Sequence, residues 1–274
     1  RRERAVHPMH MADALLTPAV AGVMYAASAV VAGASIVELH KEEKQDLTSA
    51  AKKLPTMAVM SALVFAGQMI NYTIPGTGSS GHLCGGLLLT SVLGPWAGFL
   101  SMIVILTIQC LFFADGGLLA LGANVWNMAF YGCFVGYFLI YRPLMRSRCF
   151  ARRGERAANR LKITLASVLG CVLTLQLGAF SVVLETTLSG ITDLPFGAFC
   201  AIMQPIHLAI GLIEGLITAA VLLFLYEARP ELLRDVRMSG ETTGKVSFKG
   251  TIAVIAIAAV LVGGGLSLLA SGNP

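Results

Sequence analysis

The sequence is poor in charged residues, and this scarcity excludes most soluble folds. Asp, Glu, Lys and Arg make up only 13% of its 274 residues, whereas a soluble domain carries roughly 25%. Hydrophobic residues make up 56% of the chain, and the mean hydropathy is +0.76. The composition therefore predicts an integral membrane protein with one membrane domain and no soluble domain.

Two common motifs are also missing. The six cysteines include no C-x-x-C pair, so the sequence predicts neither a disulfide framework nor a zinc knuckle. There is no G-x-x-x-x-G-K-[ST] loop, so ATP hydrolysis by this chain is not expected and no enzyme activity is predicted. The net charge is +5, but the basic residues cluster in a few loops. This pattern is typical of membrane topology and does not indicate a nucleic-acid partner.

The apolar runs predict an all-α fold with seven to eight transmembrane helices. The stretch 85–113 is too long for one ordinary span, and Gly94 and Pro95 interrupt it. Because proline breaks a helix, we expect a short half-spanning helix at 85–93 and a full span from Pro95. The predicted spans are 15–37, 54–70, 85–93 with 95–113, 124–141, 163–184, 199–226 and 251–270.

Three basic segments, at 38–53, 142–162 and 227–249, test this scheme. The second carries eight basic residues and one Glu. Basic loops lie on the cytoplasmic side of a membrane, and all three do so only if the chain breaks at Gly94. The same break places His10, His82 and Asp115 together on the opposite, outer side.

The same pattern predicts how the chain is divided. Residues 1–8, which begin Arg-Arg-Glu-Arg, are expected to be an extension or a tag before Met9. The first apolar run is long enough to span, so we interpret it as a retained helix and not a signal peptide. Residues 9–230 form the predicted membrane domain. Residues 231–274 are predicted to be a cytoplasmic loop and an extra C-terminal span, truncated at its end.

Two histidines are candidate metal ligands. His82 ends a polar segment, 71–82, that is rich in glycine and serine and is predicted to be a helix-breaking loop, and His10 follows Met9 just before the first apolar run. If Met9 were the first residue, its α-amine, the His10 amide and the His10 imidazole could chelate one divalent ion, with His82 as a fourth nitrogen donor. Such a set suits Ni(II), Cu(II) and, less strictly, Co(II). From spacing alone, an ordinary polar N-terminus and a His82 bonded to backbone remain open alternatives.

Several polar residues flank these segments and are candidate supports for the ligands. Asp115 precedes two glycines and could either orient a histidine or form a turn. Gln68, Asn71, Ser80 and Asn124 could hydrogen-bond to the ligands or to the backbone that carries them.

The side chains of Cys84, His207 and Glu214 each allow more than one interpretation. Cys84 could add a soft ligand, although a buried thiol without a role is the preferred interpretation. His207 and Glu214 lie seven residues apart and so on one helix face. Ionisable groups inside a membrane are functional candidates, but structural roles are favoured for both.

An intramembrane serine protease is the alternative from another class. Gly78-Ser79-Ser80-Gly81 matches the G-x-S-G loop of rhomboid proteases, and His207 could serve as the base for a serine nucleophile. The match covers four residues of common types. It leaves Met9, His10 and Asp115 unexplained, so the metal site is the stronger prediction.

Four segments carry long motifs, which begin at Met9 (Met-His-Met-Ala-Asp-Ala-Leu-Leu-Thr-Pro), Gln68, Phe112 and Gln204. With these motifs the chain, from Met9 to about Tyr226, resembles the CbiM/NikM family, whose members are the substrate-binding membrane subunits of energy-coupling factor (ECF) importers for cobalt or nickel. The resemblance implies metal ligation by the nitrogens of Met9 and His10 and by the His82 imidazole. The chain departs from the family pattern in the eight residues before Met9 and in Cys84, where glycine is expected.

The resemblance also implies the setting of the protein. The transported ion would be Co²⁺, possibly for cobalamin biosynthesis, or alternatively Ni²⁺, with no resident cofactor. The partners would be a coupling membrane subunit, ATPase subunits and possibly a small accessory membrane subunit. The protein would lie in the cell (inner) membrane with the His10 and His82 side facing outward.

Removal of residues 1–8 tests the predicted amine ligand. A chain that begins at Met9 is expected to bind Ni²⁺ and Co²⁺ more tightly than the full chain, because only a free α-amine can donate its lone pair. Isothermal titration of the two purified proteins measures the difference. Equal affinities would contradict ligation by the amine.

Overall fold

The computed structural model describes residues 10–45, 47–74, 79–148, 150 and 154–236, with side chains left out at 45, 47–52, 71–74, 79 and 80. The part described is mostly helical, as the apolar runs predict. After a 3₁₀ turn at Asp13–Leu15, the helices are α1 (Pro18–Gln45), α2 (Leu47–Gln68), α3 (Gly86–Leu93), α4 (Pro95–Phe113), α5 (Leu121–Asn124), a π-helix (Val125–Tyr141), α6 (Arg142–Arg146), α7 (Glu155–Ser189) and α8 (Phe196–Ala228), followed by a 3₁₀ turn at Pro230–Leu232.

Five of these elements are long and apolar enough to cross a membrane. They are α1, α4, the continuous helix formed by α5, the π-helix and α6, then α7 and α8. The described part of the chain is therefore that of a multi-pass membrane protein. The total of seven to eight spans stays a prediction, and the predicted last span at 251–270 lies outside the described residues.

The helix break predicted at Gly94 is confirmed. α3 ends at Leu93, and the Gly94 N–H still donates to the Thr90 carbonyl at 2.8 Å. α4 then begins at Pro95, where a missing N–H costs nothing because the first helical turn has no intrahelical acceptor for it. Every residue of α3 is buried, and eight residues reach only about 12 Å at 1.5 Å per residue.

The residues that surround the predicted basic loops meet at one end of the bundle. Arg234, after α8, reaches Glu42 of α1 at 3.3 Å, and Lys53 of α2 reaches the same carboxylate at 2.9 Å. Arg146 pairs with Asp235 at 2.6 Å. The three segments therefore share one end, as the break at Gly94 requires.

Three local predictions were wrong. The segment 38–53 was predicted to be a loop, but α1 continues to Gln45 and α2 begins at Leu47. The segment 142–162 contains α6 and the first turns of α7. The polar segment 71–82 contains a two-stranded antiparallel hairpin, β1 (Asn71–Ile74) and β2 (Ser79–His82), with Asn71 opposite His82.

The long helices α7 and α8 pack closely enough to exclude side chains at their contact. A β-carbon added to Gly211 of α8 would lie 2.8 Å from the Val172 α-carbon of α7. Backbone atoms cannot move aside as a flexible side chain can, so this contact requires glycine.

Gly211→Ala is therefore expected to destabilise the protein by about 1–3 kcal/mol, the usual cost of overpacking. The measurement is the midpoint of unfolding in detergent. Gly33→Ala is the matched control, because nothing lies within 4 Å of the added carbon on α1. Equal midpoints for Gly211→Ala and the unaltered protein would contradict the close α7–α8 contact.

Candidate metal centre

The structure brings His10 and His82 into direct contact, 72 residues apart in the chain. The His10 Nδ1 and His82 Nε2 atoms are 3.0 Å apart, and the ring centroids are 4.6 Å apart at an interplanar angle of 73°. His10 is buried, with 3% of its surface exposed. The two histidines therefore meet at one place in the bundle.

Two hydrogen-bond acceptors beside the His10 Nε2 atom determine which ring nitrogen of His10 carries the hydrogen. Its Nε2 lies 2.9 Å from the Gln109 Oε1 atom and 3.4 Å from the Asp115 Oδ2 atom. Both of these atoms are acceptors, so Nε2 carries the hydrogen and Nδ1 keeps a free lone pair. This lone pair is directed at His82.

The His82 ring has the complementary arrangement. Its Nδ1 donates to the Leu83 carbonyl at 3.0 Å, which leaves Nε2 as the nitrogen with a lone pair. Two lone pairs therefore face each other across 3.0 Å. Two ligands at a right angle, each about 2.0–2.1 Å from a metal ion, would be about 2.9 Å apart. The pair thus has the separation of neighbouring ligands on one ion.

Burial keeps both imidazoles neutral. Loss of solvent lowers the pKa of His10 from its ordinary value of about 6.5 to about 4, and the hydrogen bond that His10 donates to Gln109 opposes this only in part. Burial, followed by repulsion from His10, also lowers the pKa of His82. Neutral imidazole is the form that binds metal.

Polar side chains from α4, α5 and the turn between them hold the N-terminal segment in place. Asp115 Oδ1 accepts the His10 N–H at 3.0 Å. Asn124 accepts the Met11 N–H at 3.1 Å and donates to the Met11 carbonyl at 3.2 Å. Asp13 Oδ1 accepts the Ala120 N–H at 3.0 Å. Asp115 and Asn124 therefore lie where the sequence placed them, against the segment that carries His10.

The remaining predicted residues have different outcomes. Gln68 lies near the site but contacts the backbone that follows His82, donating to the Cys84 carbonyl at 2.6 Å. Met9 and the side chains of Asn71 and Ser80 lie outside what the structure describes. Sequence reasoning missed Gln109; the available signal was a strongly polar amide inside the apolar span that leads to Asp115.

A small cavity of about 50 Å³ adjoins the two histidines. Cys84, His207 and Asn127 are among its lining residues, and His207 Nδ1 lies 2.8 Å from the Met203 carbonyl oxygen. Among the described residues, no group of three or more His, Cys, Asp and Glu side chains is placed to hold a metal ion.

A sequence model of the CbiM family, described as the cobalt uptake substrate-specific transmembrane region, matches residues 10–232. The chain belongs to the CbiM family. The match spans the N-terminal histidine, the hairpin and all of the helices described above. Membership places this CbiM-family chain among the cobalt and nickel transport membrane proteins.

The similar proteins include ones named for nickel transport and ones named for cobalt transport. A putative fused nickel transport protein NikMN of Archaeoglobus fulgidus is 40% identical over 234 residues, which cover 85% of this chain and 70% of that protein. The cobalt transport protein CbiM of Sorangium cellulosum is 31% identical, covering 82% of this chain and 94% of that protein. These names favour transport over the protease alternative.

The fold is also similar to a solved structure. The crystal structure of a truncated transition metal transporter superposes with a TM-score of 0.66 at 32% sequence identity, covering 80% of this chain and 99% of that chain.

The neutral histidines predict a loss of stability in acid. A histidine in the unfolded chain takes up a proton near pH 6.5, whereas folded His10 resists protonation down to about pH 4. The unfolded state therefore binds more protons in this window, and the free energy of unfolding of the metal-free protein should fall as the pH drops from 6.5 towards 4.

Melting temperatures between pH 7.5 and 5 measure this fall. The slope should be shallower in His10→Gln and unchanged in His40→Gln, because His40 is exposed on α1. If the melting temperature fell with pH as steeply in His10→Gln as in the unaltered protein, this would contradict the claim that folded His10 stays neutral in this pH range.

Proposed function

We propose that this chain is the substrate-specific component of an ECF importer that captures divalent cobalt at the outer face of the cell membrane. Nickel is the alternative substrate. The observation that carries the proposal is the pair of facing lone pairs on His10 Nδ1 and His82 Nε2, 3.0 Å apart. An ion between them would relieve their mutual repulsion and replace the water that the buried rings have lost.

The proposed ligands are the imidazoles of His10 and His82 with the nitrogens of Met9 and His10. In the arrangement described, the His10 N–H is already donated to Asp115. Ligation by this nitrogen therefore requires the bond to be given up and the amide proton to be released, which makes binding dependent on pH. Asp115, already the acceptor for that hydrogen, is the nearest base for it. Asp115 and Asn124 would also hold the backbone of His10 and Met11 in position beside the hairpin.

The choice between cobalt and nickel rests on two opposing arguments. A set of nitrogen donors favours Ni²⁺ over Co²⁺ in the general order of affinity. The family description names cobalt uptake, and the N-terminal segment looks more like the cobalt branch. We therefore propose cobalt, with a role in supply for cobalamin biosynthesis.

The energy for import would come from other chains. The sequence has no phosphate-binding loop of the P-loop ATPases. We propose ATPase subunits, a coupling membrane subunit and possibly a small accessory membrane subunit as partners in the inner membrane. The end of the bundle with the ion pairs of Arg234 and Arg146 carries the basic segments and would face the cytoplasm.

Metal content after competition tests the substrate. Protein expressed from Met9 and loaded with equimolar Co²⁺ and Ni²⁺ is expected to retain about one ion per chain, because the His10 and His82 lone pairs face the same point. Intact mass and elemental analysis give the stoichiometry and the preferred ion. His82→Ala and His10→Ala should lose the ion.

Two control variants accompany this experiment. His40→Ala removes an exposed imidazole and Ser80→Ala removes the hydroxyl of the protease alternative, and both should retain the ion. An unaltered protein without metal, or a His82→Ala variant that keeps it, would contradict the proposal.

A further inference from the structure

Glu214 is a buried carboxylate in the middle of α8, and both of its oxygens accept backbone hydrogen bonds. Its Oε2 accepts the Cys84 N–H at 2.7 Å and its Oε1 accepts the Gly85 N–H at 2.8 Å. Only 3% of the residue is exposed. A carboxylate in this environment is costly unless it is fully hydrogen-bonded, and bonds to an ionised acceptor are among the strongest in proteins.

The segment that Glu214 holds connects the hairpin to α3. Gly85 has φ of +74°, and an added β-carbon there would lie 2.5 Å from the Val64 side chain. Gln68 donates to the Cys84 carbonyl at 2.6 Å. The Cys84 N–H therefore donates to Glu214 of α8, and the Cys84 carbonyl accepts from Gln68 of α2. These two hydrogen bonds fix the connection from both sides.

The bond to Cys84 acts on His82 through a single peptide unit. The Cys84 N–H and the Leu83 carbonyl belong to the same planar peptide. That carbonyl lies 3.0 Å from the His82 Nδ1 atom and accepts its hydrogen. A continuous chain of hydrogen bonds therefore runs from the Glu214 carboxylate through this peptide to the His82 imidazole, whose Nε2 faces His10.

We propose that Glu214 is a positioning residue for the metal centre. It orients the Leu83–Cys84 peptide, and the peptide fixes the tautomer and the direction of the His82 ring. The negative charge also polarises the peptide and makes the His82 Nε2 a better donor to a metal, as carboxylates do for other histidine ligands. This inference rests on the proposed function, since it assigns Glu214 to the same metal centre.

Glu214→Gln is the test, because glutamine keeps the shape but has only one acceptor atom. The glutamine NH₂ group would face one of the two backbone N–H groups, of Cys84 or Gly85, as a second donor. That hydrogen bond would be lost, and the Leu83–Cys84 peptide could then rotate. Loss of such a supporting contact typically weakens metal affinity by about 10–100-fold. We expect a weaker Kd of that size for Ni²⁺ and Co²⁺, measured by titration of the metal ion into protein that begins at Met9.

The spectrum of the bound ion separates positioning from a merely structural role. The d–d absorption of bound Ni²⁺ and the electron paramagnetic resonance of bound Cu²⁺ should change in Glu214→Gln, because one imidazole changes its direction. Glu185→Gln is the matched control. Glu185 is also a buried carboxylate, 5% exposed, but within the described part of the chain it accepts from Asn127 at 2.8 Å and not from the backbone that follows His82. This control should leave Kd and spectrum unchanged.

The outcomes distinguish the two proposals. If the unaltered protein binds none of these ions, the proposed function fails. If it binds them and Glu214→Gln has the same Kd and spectrum, the role of Glu214 is overturned. If Glu214→Gln does not fold, the same Kd and spectra are measured for Glu214→Asp, because aspartate keeps the charge but retracts it by one methylene. An altered Kd and spectrum in Glu214→Asp would support the role, and unaltered values would overturn it.

Discussion

The contact between His10 and His82 joins two pieces of non-helical chain inside a helical membrane protein. Non-helical backbone leaves N–H and carbonyl groups without partners, and these are tolerated at membrane depth only where protein or water satisfies them. Asp115 and Asn124 bond to the backbone around His10, while Glu214 and Gln68 bond to the backbone after His82. These four buried polar side chains are thus placed where the helical pattern fails.

The broken helix α3 follows from the same constraint. After the hairpin the chain returns to helix only at Gly86 and has eight residues before Gly94. α4 then crosses back to the side of the histidines and delivers Gln109 and Asp115 to them. Because α3 spans only part of the bundle, α4 can return the chain to the end where the segments of His10 and His82 meet.

Sequence reasoning succeeded where one residue type has one physical consequence. Proline at 95 forbids helix continuation, and the basic clusters lie at one end of the bundle. It failed where the outcome depends on distant partners. The segment at 71–82 lacks the alternating apolar pattern of a strand, so its pairing could not be read from sequence. The charged stretch at the end of α1 was interpreted as a loop, although Glu, Lys and Gln are good helix formers. Gln109 and Glu214 were visible as polar residues in apolar helices, but their partners were not.

The direction of α3 has an electrostatic consequence. A helix carries partial positive charge at its N-terminus and partial negative charge at its C-terminus. α3 begins four residues after His82 and ends beside Arg234, whose backbone N–H donates to the Ser91 carbonyl at 2.9 Å. The N-terminal charge is offset by the Glu214 carboxylate, and the C-terminal charge by the Arg234 guanidinium. Both ends of this buried half-helix thus have a side chain of opposite charge beside them, Glu214 near the histidines and Arg234 at the far end, so the helix dipole is matched inside the bundle.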